Sequence, residues 1–168
     1  MKDVLSSRVD GLFRRLSPGE AKLLAAFLVG AIFGMFLSWS ALDTLSWRSA
    51  TFESDWKTQE RWLVFSGTVV TGALVFFMRK HFGHGGLTGL LRALVAGLWV
   101  LFLAGILTGT LNMPLWGTTF GVIIIAATLV KSPFVAASAV IALALIHWLC
   151  RPWQIERRSI FGFGETDY

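Results

Sequence analysis

Charge is what this sequence has least of. Only 15% of its 168 residues are Asp, Glu, Lys or Arg, while 55% are hydrophobic and the mean hydropathy is +0.66. A soluble domain carries about 25% charge, and a core of this length cannot bury so large an apolar excess. A single cysteine, Cys150, excludes an internal disulfide and any CxxC redox or zinc pattern. Catalytic signatures are missing too. There is no GxSxG, no HExxH, no Ser or Cys with His and an acid nearby, and no phosphate-binding glycine loop followed by Lys and Ser or Thr. Gly83 to Gly86 reads GHGG but follows no strand. No enzyme is expected from such a chain.

What is present is apolar length. Five apolar runs lie between Leu23 and Cys150, and the last three, from Ala93 onward, have Asn112 and Lys131 as their strongly polar interruptions. A hydrocarbon core of about 30 Å is crossed by roughly 20 apolar helical residues, and lipid satisfies no exposed backbone group. The fold class is therefore an all-α integral membrane protein. The runs predict a bundle of four to five transmembrane helices, one of them short or re-entrant, over residues 18–42, 60–78, 88–111, 115–130 and 133–150. The transmembrane domain covers 17–150. Fourteen Phe and eight Trp against one Tyr support this reading, with most Trp near predicted helix ends, where the indole spans lipid and headgroup. Trp39 and Trp99 fall within runs and are expected to face neighbouring helices or acyl chains.

Residues 1–16 are too charged for a cleavable signal peptide. Val4, Leu5, Val9, Leu12, Phe13 and Leu16 recur at helical spacing with Lys2, Arg8, Arg14 and Arg15 mostly elsewhere, which predicts an amphipathic membrane-surface helix. Ser17, Pro18 and Glu20 then form a helix-start signature. Ser17 suits the cap, Pro18 the first helical position, and Glu20 the return bond of a capping box.

Hydropathy and charge disagree about the number of crossings. With the amino terminus inside, five spans leave nine of the 15 Lys and Arg on the inner side, and four spans leave 11. Positive charge favours the inside, so charge argues for four and apolar length for five. The side of the carboxyl terminus stays open at this stage. The expected location is the inner, cytoplasmic membrane of a bacterium with the amino terminus cytoplasmic. The net charge of +5 calls for anionic lipids rather than nucleic acid.

Three GxxxG spacings occur: Gly30 with Gly34, Gly105 with Gly109, and Gly117 with Gly121. Small residues four apart let helix backbones approach closely, within the chain, in a homo-oligomer or against other membrane subunits. Ser and Thr within the runs are expected to bond back to their own helices. The segment from Thr108 to Gly121, with Asn112, Pro114 and Thr118, is a candidate pathway or broken-helix site. His81 and His84 have metal-pair spacing, but no third ligand or carboxylate accompanies them. His147 would need a second axial ligand at matching depth to hold haem, and the five-span arrangement puts His81 at the opposite face. No metal and no cofactor are predicted, while the apolar surface leaves room for bound lipid or pigment.

Pro152 is expected to end the last helix, leaving 151–168 as an extramembrane tail. Trp153, Phe161, Phe163 and Tyr168 make that tail sticky enough to dock a partner or lie on the membrane. Two functions fit. The first is an accessory or scaffolding subunit that assembles or stabilises a larger membrane complex; the alternative is a small channel or transporter subunit for a neutral or small solute.

Overall fold

The computed structural model describes residues 17–44 and 55–160. The expected surface helix over 1–16 and the tail residues Phe161, Phe163 and Tyr168 lie outside the described residues. Among the described residues five α-helices form the bundle: α1 Pro18–Thr44, α2 Asp55–Phe77, α3 Gly86–Asn112, α4 Trp116–Lys131 and α5 Pro133–Ile160, with a 3-10 turn, Met78–His81, after α2. Four of them, α1, α2, α3 and α5, are long and apolar enough to cross a membrane, and α4, at 16 residues, is shorter. At 1.5 Å per residue α4 measures about 24 Å, less than the hydrocarbon thickness.

α1 starts as its sequence dictates. The Ser17 N–H donates to Glu20 Oε2 at 2.9 Å and the Glu20 N–H donates to Ser17 Oγ at 3.2 Å, closing the capping box. The helices then pack with their small residues inward. Gly89, Ala93, Ala96, Val100, Ala104 and Thr108 make the buried stripe of α3, while Leu98, Trp99 and Phe102 point away from the bundle. Lipid is as apolar as leucine, so close backbone packing rather than burial of large side chains drives such helices together. Trp39 and Trp99 accordingly sit on the outer surface of the chain.

Both ends of the bundle share one face. The Ser17 hydroxyl and the Gly19 N–H donate to Glu156, and Gln154 Nε2 donates to the carbonyls of Arg79, Lys80 and Phe82. The start of α1, the α2–α3 turn and the end of α5 therefore meet at one end of the bundle. α4 and α5 both run antiparallel to α3. Gly117 and Gly121 of α4 abut Gly109 and Gly105, and Leu143 of α5 abuts Gly97. The short helix and the long one follow in succession along this direction, and of the two α5 is the one long and apolar enough to cross a membrane.

Two boundaries differ from expectation. α2 begins at Asp55 rather than near residue 60. α5 does not stop at Pro152 but continues through it to Ile160. Proline removes one helical hydrogen bond at Trp148, yet contacts beyond it hold the helix in place. Trp153 packs against the core, Gln154 binds the α2–α3 turn and Glu156 binds the start of α1. Residues 151–160 are thus helix rather than free tail.

Candidate functional site

A cavity of about 300 Å³ opens between α1, α2, α3 and α4, in the half of the bundle away from Ser17. Leu37, Leu63, Ala104, Phe120 and Ile124 give it an apolar wall, and Ser38, Thr71, Thr108 and Asn112 supply polar groups. Its existence follows from the glycine faces. Gly34 and Gly67 on one side, and Gly105, Gly109, Gly117 and Gly121 on the other, all line it and contribute no side-chain volume.

The three GxxxG pairs are used inside the chain. A Cβ at Gly30 would stand 2.7 Å from Val75 Cγ2, and one at Gly34 would stand 2.6 Å from Thr71 Cβ, so the first pair seats α1 on α2. The other two pairs face each other across the α3–α4 hairpin. A Cβ on Gly109 would overlap the Gly117 carbonyl, and one on Gly117 would overlap the Gly109 carbonyl. A Cβ on Gly105 would stand 3.0 Å from Val122 Cα.

The Thr108 to Gly121 segment forms a connected polar group at the hairpin end. Asn112 Nδ2 donates to Ser66 Oγ at 3.0 Å and to the Thr108 carbonyl at 2.8 Å, tying α3 to α2. The Thr110 and Thr118 hydroxyls lie 2.9 Å apart across α3 and α4. Pro114 is exposed in the turn, and Leu115 after it has φ +76°, a left-handed value costly for a branched side chain. This turn follows a 27-residue helix and lies beside Trp62, whose Nε1 donates to the Leu111 carbonyl at 3.4 Å. Four hydroxyls bond back to their own helices as expected: Ser40, Thr68, Thr110 and Thr128 each donate to the carbonyl four residues back.

A second helix break lies between α4 and α5. The Phe134 ring meets the Phe36 ring edge-on with centroids 5.9 Å apart. Phe36 precedes Asp43 by seven residues, which puts the joint about 10 Å inside the end of α1. Val130 is 87% exposed and Phe134 72%, with Lys131 exposed between them. Ser132 contains the backbone cost: its N–H donates to the Thr128 carbonyl and its Oγ accepts the Val135 N–H.

At the opposite face the histidines gather. The Gly83 N–H donates to His147 Nδ1 at 3.2 Å, and Arg92 Nε donates to His81 Nδ1 at 3.3 Å. His81 and His147 therefore lie at the same end of the bundle. Gly83 is required there: its φ is +83°, and a Cβ would stand 2.7 Å from the Cys150 carbonyl. Among the described residues no three His, Cys, Asp or Glu side chains group closely enough to hold a metal ion.

Trp153, expected to dock a partner, packs within the chain, flanked by the Arg79 and Arg157 guanidiniums. Gln154 and Glu156 were not singled out by the sequence, because their partners lie more than 70 and 130 positions away. Ser66, the partner of Asn112, carries no signal beyond its helical phase. No protein-family model, curated protein or solved structure matches the chain.

Proposed function

We propose that this chain is an accessory or scaffolding subunit of a larger membrane protein complex. The observation that carries the reading is the α4–α5 joint: a helix break with exposed Val130, Lys131 and Phe134, about 10 Å inside the end of α1. Irregular backbone at such depth is tolerated where protein covers it, and an intramembrane cation is costly until it is paired. A partner helix that brings an acceptor or a carboxylate to Lys131 meets both demands. The internal use of all three GxxxG pairs directs assembly to this joint rather than to the glycine faces.

The test is gentle extraction from native membranes followed by native mass spectrometry. The expected result is a heteromer of fixed stoichiometry that loses its partner when Val130 and Phe134 are both changed to Ala. A lone, stable chain under these conditions overturns the reading.

One observation favours a second reading, a small carrier or channel subunit for a neutral solute: the cavity that touches Asn112 and Thr108. It predicts flux in liposomes that changes on Asn112→Ala, and absence of flux removes it. The orientation follows positive charge. The face that holds Ser17, Arg79, Lys80, Arg151 and Arg157 is proposed to be cytoplasmic, in a bacterial inner membrane.

A further inference from the structure

Hydroxyls such as those of Thr68 and Thr128 donate to the carbonyl four residues back, and three in the cavity do not. Ser38 on α1, Thr71 on α2 and Thr108 on α3 line the cavity, each nine-tenths or more buried. Among the described residues none of these three hydroxyls has a hydrogen-bond partner. A hydroxyl in a membrane helix ordinarily bonds back to its own backbone, and one left unpaired in an apolar interior is costly. Glycines place two of them. A Cβ on Gly67 would overlap the Ser38 hydroxyl, and one on Gly34 would stand 2.6 Å from Thr71 Oγ1, so both glycines make room for hydroxyls along the α1–α2 seam.

The fourth polar group is Asn112, one turn beyond Thr108 on α3. It spends both amide donors, on Ser66 Oγ and on the Thr108 carbonyl, and keeps its side-chain carbonyl oxygen as an acceptor. The wall supplied by α4 is apolar throughout: Gly117, Phe120, Gly121, Ile124 and Ile125. Glu60 is the one ionisable side chain on the lining, and it stands about 10 Å along α2 from Gly67, away from the hydroxyls.

A water cluster suits only half of this lining, because a buried water needs about two to four polar partners and α4 offers none. We propose that the cavity binds an uncharged alcohol, an apolar molecule with a hydroxyl at one end. That hydroxyl accepts from the hydroxyls of Ser38, Thr71 or Thr108 and donates to Asn112 Oδ1, and the apolar body lies against Phe120 and Ile124. The volume, about 300 Å³, falls at the lower end of the range for small-molecule sites, roughly 300–1,000 Å³. The proposal rests on the neutral-solute reading for its site and names the class of molecule; its test reads occupancy without flux, so the two fail separately.

The test is photolabelling of the full chain in phosphatidylcholine liposomes with an octanol that carries a diazirine on its third carbon, mapped by peptide mass spectrometry. Label is expected on the α3 and α4 residues of the cavity. Competition by 1-octanol removes it, while octane, octanoate and octylamine at matched membrane concentration leave it. Thr71→Val and Thr108→Val keep the shape and remove a donor, and each is expected to lower labelling about fivefold. Thr68→Val, whose hydroxyl bonds within its own helix, leaves labelling unchanged. Without the probe, the thermal midpoints of Thr71→Val and Thr108→Val are expected at or above that of the unaltered chain, since each loses a hydroxyl that has no partner. Label spread over the outer surface of the bundle, competition by octane or octylamine equal to that by 1-octanol, undiminished labelling in both valine variants, or a lowered midpoint in both overturns the proposal.

Discussion

Glu156 caps the first turn of α1 from the far end of the chain, 139 positions beyond Ser17, accepting the Ser17 hydroxyl at Oε2 and the Gly19 N–H at Oε1, each at 2.8 Å. A carboxylate at a helix amino terminus satisfies free N–H groups and opposes the positive end of the helix dipole. The contact also locks the last helix to the first, so it sets topology as well as local stability.

Replacing Glu156 with Ala is expected to lower stability by about 1–2 kcal/mol, through loss of a cap shared by two donors. Glu156→Gln keeps an acceptor but not the charge, and is expected to fall between. Thermal unfolding in detergent, followed by circular dichroism, ranks the three proteins.

The α3–α4 hairpin has no room for a methyl group. Gly109→Ala and Gly117→Ala are each expected to cost about 1–3 kcal/mol by forcing the two backbones apart. Gly85, whose Cβ position is open and whose φ is −76°, is the control. Gly85→Ala is expected to be neutral or slightly stabilising in the same unfolding assay.

Asn112 and Ser66 bridge α3 and α2 by a single side-chain hydrogen bond. A double-mutant cycle with Asn112→Leu and Ser66→Ala is expected to show a coupling of about 0.6–1.7 kcal/mol, the range found for polar pairs within membranes. A coupling near zero means that the bond contributes no net stability.

Pro152 lies within α5 rather than at its end. Pro152→Ala is therefore expected to raise the thermal midpoint, since it restores a helical hydrogen bond without removing a needed stop. A fall in the midpoint contradicts the continuous helix.

Much of this arrangement was legible in order along the chain. Apolar length gave the helices, and Ser17 with Glu20 gave the start of α1, because both signals are local. The glycine spacings identified the packing faces but not their partners: nothing near Gly109 says that Gly117 rather than another chain will meet it. Pro152 misled because a local rule was overridden by distant contacts through Trp153, Gln154 and Glu156. The crossing count was ambiguous for a related reason. Leu115 to Val130 is apolar enough to suggest a span, and its helix, at 16 residues, is shorter than the four that are long enough to cross a membrane. The cavity, formed by residues from several helices, carried no linear signature.

Everything said of the two faces and the α4–α5 joint depends on an even number of crossings. The most direct test is to fuse a compartment-sensitive reporter after Tyr168, and in a second protein between Gly85 and Gly86, and compare the sides. Both reporters are predicted to stand on one side, the side of the α2–α3 turn, with a reporter inserted after Pro114 on the other. A carboxyl-terminal reporter that shares the side of the Pro114 insertion would show five crossings and contradict the account.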